Sequence, residues 1–538
     1  LSGGGWKSRL WLLPPVLAGL VLRFWNLPSQ ILSDDELHAV RAVVSGSLGQ
    51  ILTTYQKVDN SIPITAFLRL VVDAGGTLNE MVIRLPALVC GVLLLIAAPL
   101  WAERRAGRGP AIAFVWLLAL SPCLVFYTRI ARSYSPIVFF GFCAVAAFDS
   151  WWRHGGWRRG AAYVVFAALA VWFHLGAAPL VASPFLFAAG ALLVRRDLRK
   201  LRAVVVLGVA AVLGLLTFLV PARASLIDLV QDKHEPLSIS GREVLEVAQL
   251  QAGSGHLAVA ALVWLAAFAG LALLARRDRE LAALTATVVA GHIAGILFLS
   301  PQGHQDSLIL DRYLLVIVPW VLLWVAEALG TPWPALGRWR PAMPAISAIW
   351  AMSGVLLLGL FAAGPFTDPE IRRTSFAHHN DFLKFFASRP QPPGPRRLPP
   401  FYRDLGQAAD GGEVIECPWV PVWSVNRSFY LYQEIHRRKV LVAPARGLLI
   451  DPRIVFRNMV PGTPEGFLAS RARWLVVHRN VYAEEAKYGQ VLADEHLRRL
   501  LRFAPRRMIR ELTEQWGPPD VDDPRIVVWD LARVRGRG

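Results

Sequence analysis

Apolar residues in this chain fall into long blocks rich in Leu, Ala, Val, Phe and Trp, which recur from residue 10 to residue 363 and then stop. A helix needs about 20 apolar residues to cross a hydrocarbon core about 30 Å thick. On that measure the candidate spans are 10–27, 82–102, 111–127, 135–152, 161–173, 177–194, 203–221, 257–275, 281–299, 313–329 and 343–363, about eleven in all. Two of them, 161–173 and 177–194, are short and meet at His174-Leu175-Gly176, so they could instead form one broken or re-entrant pair. The first block lacks a small-x-small cleavage site before Asp34, and Trp25 and Pro28 suit an interfacial helix end; it reads as an uncleaved first span.

Beyond residue 363 the pattern changes. Residues 364–400 are rich in Pro and Arg and read as a linker, and 401–538 have the mixed composition of a soluble domain. Short apolar runs at 413–417, 440–443, 474–478 and 526–529 read as strands, and 484–503 as helical. The expected fold is therefore an α-helical polytopic membrane domain over 1–363, with a first outer loop at 28–81, followed by a linker and a C-terminal α/β domain. In that first loop, 64–72 is too short to span and reads as an interfacial helix.

Charge decides orientation. The net charge is +18, which on a soluble surface would suggest nucleic acid; here the basic residues lie mostly in short loops between apolar blocks, and nucleic acid is not expected as a partner. Alternating the loops from a cytoplasmic N-terminus puts eighteen Lys and Arg on one side, among them Arg104, Arg105, Arg153, Arg158, Arg195 and Arg199. Only nine fall in the longer opposite loops. Positive residues collect on the cytoplasmic side. The expectation is a multi-pass protein of the plasma (inner) membrane, with its long loops and C-terminal domain extracytoplasmic. Cys90, Cys123 and Cys143 fall in spans and only Cys417 lies in the tail, so neither a disulfide framework nor a CxxC metal site is written.

Candidate chemistry gathers on the outer side. Ser33-Asp34-Asp35-Glu36 follows the first span. One or two of these acids serve as a helix N-cap and first turn, but three adjacent acids repel one another and raise a pKa, which suits a general base. Tyr127-Thr128-Arg129-Ile130-Ala131-Arg132-Ser133-Tyr134 joins two spans on the side where cations are disfavoured. Arg129 and Arg132, three apart, share a helical face and could hold a phosphate, or one of them could reach to a lipid headgroup. Asp311-Arg312-Tyr313 opens the tenth span, and Arg312 either pairs with Asp311 or binds an anion. His174 between the short spans is a structural histidine or a ligand-binding one, and Asp59-Asn60 are turn formers or site residues. No HExxH, GxSxG or phosphate-loop pattern is present.

An ordered set of stretches resembles the GT-C-fold glycosyltransferases of the protein O-mannosyltransferase and aminoarabinose-transferase type, which depend on a polyprenyl-phosphate sugar. It comprises Asp35-Glu36, Ile83-Arg84-Leu85-Pro86-Ala87-Leu88, Leu120-Ser121-Pro122 through Tyr134, and Arg312-Tyr313-Leu314-Leu315. In the tail, Tyr432-Gln433-Glu434-Ile435-His436 and Trp474-Leu475-Val476-Val477-His478-Arg479 resemble some bacterial members less specifically. The chain departs from the type where many relatives have two prolines in the first loop, since it has Ile62-Pro63, and where the aminoarabinose type has a lysine, since it has Asp59-Asn60-Ser61. The resemblance implies a membrane glycosyltransferase of the cell envelope. It would move a hexosyl or pentosyl group from a polyprenyl-phosphate donor to a hydroxyl of a lipid, glycan or protein acceptor, with inversion. It implies Asp35 as the catalytic base, flanked by Asp34 and Glu36. It also implies a substrate-binding set of Arg129, Arg132 and Tyr134 with Arg312, to which the residues themselves add Tyr313, Asp59 and His174. No cofactor is certain from the sequence; a divalent metal is an open alternative, with Asp34, Asp35, Glu36, Asp59 and His174 as conceivable ligands, though a leaving phosphate held by two arginines needs it less. The rival reading is a polytopic transporter of a lipid-linked or anionic substrate, and a non-catalytic membrane scaffold is a third.

Overall fold

The computed structural model describes residues 6–25, 27, 32, 36, 39–40, 42–43, 46–55, 61–232, 234–301, 307–331, 399–408, 412–419, 429, 432, 436, 438–444, 453–479 and 495–537. The membrane part contains α1 (Leu13–Phe24), α2 (Leu48–Thr53), α3 (Ile62–Asp73), α4 (Glu80–Ala106), α5 (Arg108–Leu120), α6 (Pro122–Thr128), α7 (Tyr134–His154) and α8 (Trp157–Phe173). It continues through α9 (Ala178–Arg195), α10 (Leu198–Leu219), α11 (Arg223–Asp232), α12 (Gly241–Ala252), α13 (Leu257–Arg277), α14 (Arg279–Leu299), α15 (Ser307–Leu314) and α16 (Val318–Gly330).

Seven helical segments among the described residues are long and apolar enough to cross a membrane, or eight if the bent pair α5–α6 is one span. The difference from the expected eleven lies in four blocks. The first block is one continuous helical stretch, 3-10 over Trp6–Leu12 and α-helical over Leu13–Phe24, and falls outside the seven because it carries Lys7, Arg9 and Arg23. The 17 residues of α8 reach about 25 Å at 1.5 Å per residue, short of the core thickness. The block 343–363 lies outside the described residues. The segment expected to cross as 111–127 is itself broken, bending by 55° between α5 and α6. Pro122 causes the break: it has no N–H for the carbonyl four residues back and its ring blocks a continuing helix. The short pair at His174 is two helices, with the second lengthened to Leu175–Arg195.

Inside the bundle, helices pack on small residues. Gly270 of α13 lies so close to the main chain at Trp324 of α16 that a Cβ there would overlap the Trp324 carbonyl. One end of the bundle is tied by ion pairs. Arg105 binds Asp149 and Asp278, each at 2.8 Å, Arg277 binds Glu327 at 2.6 Å, and Arg195 pairs with Glu280.

The C-terminal part contains α17 (Pro400–Gln407), β1 (Glu413–Trp419), β2 (Val440–Pro444), α18 (Pro464–Ala469), β3 (Ala472–His478), α19 (Glu495–Trp516), β4 (Val521–Asp522), β5 (Ile526–Asp530) and α20 (Leu531–Arg535). The sheet order is β2-β1-β3-β5-β4, with β2, β1 and β3 parallel and β5 and β4 antiparallel to their neighbours. Both faces are covered, which is why the strands read as continuous apolar runs. Ile415, Cys417, Leu475, Val477 and Trp529 pack with Met508, Leu512 and Trp516 of α19, while Val414, Val476 and Val528 face Tyr402 of α17. Of the helix expected at 484–503, residues 484–494 lie outside the described residues, and from Glu495 the helix runs on to Trp516, its apolar stripe at Met508, Leu512 and Trp516 packed on the sheet.

The two parts are docked. Leu32, Val40, Ile64, Leu68 and Leu78 of the first-loop region share one apolar cluster with Trp419, Phe429, Val442 and Phe456. Glu80, 1% exposed at the start of α4, accepts the Arg457 and Asn458 backbone N–H groups at 3.0 and 3.2 Å. Leu78 N–H donates to the Arg453 carbonyl at 2.7 Å and the Leu78 carbonyl accepts from Val455 N–H at 2.9 Å.

Candidate functional site

The turn between α6 and α7 carries Arg129 through Ser133, and its surroundings sort the candidate residues. Glu36 is fully buried. Its Oε1 accepts from Arg84 Nε at 2.8 Å and its Oε2 from Arg84 Nη2 at 2.9 Å, a two-pronged pair in which both side chains are 0% exposed. Oε1 also accepts the Ala131 N–H at 2.8 Å, and Arg84 Nη1 donates to the Leu27 carbonyl at 3.3 Å. This geometry gives Glu36 a structural tie beside its expected place next to the catalytic base. Both oxygens are held by protein donors, and the carboxylate ties the first-loop stretch to α4 and to the Arg132 turn.

Arg129 is likewise bonded to the protein's own acceptors. It is 1% exposed, and its Nη1 donates to the Leu22 and Arg23 carbonyls at 2.9 and 3.1 Å. These carbonyls end α1, where the last turn has no N–H partners of its own. Burial, together with the neighbouring Arg84 charge, lowers the Arg129 pKa to about 9. The partner side chain on α1 does the reverse: Arg23 donates from Nη2 to the Leu118 carbonyl at 3.1 Å and from Nη1 to the Ala119 carbonyl at 3.2 Å, at the α5–α6 break. Each helix end is thus capped by an arginine from the other segment.

The remaining candidates converge. Tyr134, the first residue of α7, has its ring 6.1 Å from the His174 ring, and His174 is 6.0 Å from the Tyr313 ring. The Arg312 guanidinium lies 5.8 Å from the centre of the Tyr134 ring. Arg132 is near enough for its charge to add to burial in lowering the His174 pKa, to about 4. The Gly176 N–H donates to His174 Nδ1 at 3.0 Å. The neutral ring therefore carries its proton on Nε2, which makes His174 an uncharged hydrogen-bond donor. Arg132, His174, Arg312 and Tyr313 are half-buried, and Tyr134 is 7% exposed. The arrangement offers two cations, two phenol hydroxyls and a neutral imidazole in one place, a set suited to an anion with several oxygens.

Asp34, Asp35 and Asp59 lie outside the described residues. Among the described residues no group of three or more His, Cys, Asp or Glu is arranged to hold a metal. Arg84, Arg23 and Glu80 were not singled out as site or anchoring residues from the sequence. The available signal for the first two was an arginine inside an apolar block, which costs free energy in a membrane unless it is buried with partners.

No family model matches the sequence, and no curated protein matches it. Among solved structures the chain is similar to ArnT from Cupriavidus metallidurans, an aminoarabinose transferase bound to undecaprenyl phosphate. The identity is 15% over 96% of this chain and 97% of that chain, with a TM-score of 0.48. It is also similar to the Archaeoglobus fulgidus oligosaccharyltransferase in complex with Zn and sulfate, at 14% identity over 87% of this chain and 67% of that one, with a TM-score of 0.43. A third is the arabinofuranosyltransferase AftD from Mycobacteria, at 18% identity over 88% of this chain and 37% of that one, with a TM-score of 0.42.

Proposed function

We propose that this chain is a multi-pass membrane glycosyltransferase that moves a sugar from a polyprenyl-phosphate donor to an acceptor hydroxyl on the extracytoplasmic side, with inversion. The observation that carries the reading is the convergence of Arg132, Tyr134, His174, Arg312 and Tyr313 from three separated stretches of a bundle whose helices can cross a membrane. Arg132 and Arg312 stabilise the departing phosphate, and the two tyrosine hydroxyls and the His174 Nε2–H supply neutral donors to its oxygens. Asp35 is one peptide bond from Glu36, whose carboxylate is bonded to the main chain beside Arg132. As base, the Asp35 carboxylate takes the acceptor hydroxyl proton while that oxygen attacks the anomeric carbon, and the bond from this carbon to the phosphate oxygen breaks. The donor leaves as polyprenyl phosphate. A transporter would need no such base.

Purified protein in nanodiscs, incubated with a panel of polyprenyl-phosphate sugars and candidate hydroxyl acceptors, is expected to release polyprenyl phosphate. Asp35→Asn keeps shape and loses basicity, so turnover is expected to fall by about 10²–10⁴ with donor binding retained. Near-normal turnover in that variant would remove the base assignment, and lipid-linked flux without release of polyprenyl phosphate would establish the transporter instead. Cysteine labelling at position 480 of intact cells tests the orientation: reaction only after lysis would reverse it.

A further inference from the structure

Arg23 has a feature that the proposed chemistry does not use. It is 1% exposed within α1, and its Nη1 and Nη2 donate to the Gly19, Leu118 and Ala119 carbonyls. Its Nε–H has no hydrogen-bond partner, and no ion pair to Arg23 is present among the described residues. Tyr127, also 1% exposed, has a hydroxyl with no partner among the described residues. Both side chains line one small cavity between α1, α4, α6 and α7, together with Gly91, Thr128 and Ser135. A Cβ on Gly91 would run into the Thr128 side chain and approach Ser135 Oγ to 3.0 Å, so the glycine keeps these hydroxyls close to α4. The cavity has room for about one water-sized ligand.

Its lining is rich in donors. Arg23 Nε–H can only donate; the Tyr127 and Ser135 hydroxyls can donate to a ligand, while the Thr128 hydroxyl donates to the Leu124 carbonyl at 2.6 Å. The only full charge in the lining is positive, and a buried charge is costly unless matched by an opposite one. We propose that this cavity is a binding site for one small monovalent inorganic anion of the size of chloride, held by Arg23 Nε, Tyr127 Oη and Ser135 Oγ. Bound there, the ion neutralises Arg23 and braces the α5–α6 break against α1. Because the break leads into the Arg132 turn, the site makes the fold dependent on halide. The inference does not rest on the glycosyltransferase reading, since its readout is stability.

The test uses the full chain in nanodiscs, titrated with sodium chloride against sodium gluconate at constant ionic strength. Thermal stability is expected to rise with chloride and saturate, as for a ligand that binds only the folded state. Tyr127→Phe, which keeps the ring, is expected to weaken the chloride dependence about tenfold, as loss of one hydrogen bond to a charged partner implies. A bromide-substituted crystal should give an anomalous peak beside Arg23 Nε. Equal stability in chloride and gluconate, or a water molecule with no anomalous signal at that position in bromide, would overturn the anion site. A chloride dependence unchanged in both Tyr127→Phe and Ser135→Ala would locate the ion elsewhere and overturn the assignment equally.

Discussion

Two groups of arginines stand near the start of α7, and they differ in burial and partners rather than in charge. Arg23, Arg84 and Arg129 are each 1% exposed or less and donate to Glu36 or to backbone carbonyls at helix ends. Arg132 and Arg312 are half-buried beside Tyr134, His174 and Tyr313. The first group holds α1, α4 and the α5–α6 break in register, because in a membrane each freed carbonyl must find a donor. The second group keeps part of its surface exposed. An arginine in or beside an apolar block is therefore ambiguous until its acceptors are known, and here Arg23, Arg84 and Arg129 are bound by the protein's own acceptors.

The largest effect should come from the architectural group. Glu36→Ala leaves Arg84 buried without its carboxylate, and is expected to destabilise the chain by about 3–5 kcal/mol. Replacing both partners, Glu36→Leu with Arg84→Met, should recover much of that loss in thermal unfolding. A single variant with unchanged stability would erase the distinction between the groups.

The second group should behave in the opposite way. Arg132→Ala and Arg312→Ala are expected to lower sugar transfer by about 10²–10³ each while leaving the unfolding temperature nearly unchanged. Arg132→Lys keeps the charge but loses the planar fork, so its donor affinity should still fall. Unfolding measured beside turnover separates the two outcomes, and a variant that loses both together would move its arginine into the architectural group.

A third measurement probes the aromatic side of the cluster. The His174 pKa, lowered from 6.5 to about 4 by burial and Arg132, means that the unfolded chain binds more protons between those values. This contribution to stability is full above pH 6.5 and is lost as pH falls toward 4, with a magnitude on the order of 3 kcal/mol. His174→Gln should flatten that part of the stability curve, and the contribution of Arg132 to the shift means that Arg132→Ala should move the titration upward.

The smallest expected effect concerns docking. Glu80→Gln keeps an acceptor for the Arg457 and Asn458 N–H groups but loses the charge, and is expected to cost about 1–2 kcal/mol. The loss should appear as faster hydrogen exchange at 453–460, with the sheet core unaffected.

Much of this organisation follows from local pattern. Apolar blocks of near-spanning length, the change of composition after residue 363, and the four short runs that became β1, β2, β3 and β5 are properties of contiguous residues, and contiguous residues report them. The grouping of Arg132, Tyr134, His174, Arg312 and Tyr313 was suggested by residues at helix ends on one side of the bundle, because chain alternation through a membrane limits where they can lie. What tertiary structure alone decided is which charged groups are consumed by the protein itself. Glu36 meets Arg84 across 48 positions and Ala131 across 95, and Arg129 meets the end of α1 across 106 and 107. Residues so far apart share no period or spacing, and a carboxylate or guanidinium has the same letter whether its partner is a ligand or a helix end. The break at Pro122 was visible as a proline, but that Arg23 would receive its freed carbonyl depends on α1 packing beside it, a fact of the assembled bundle.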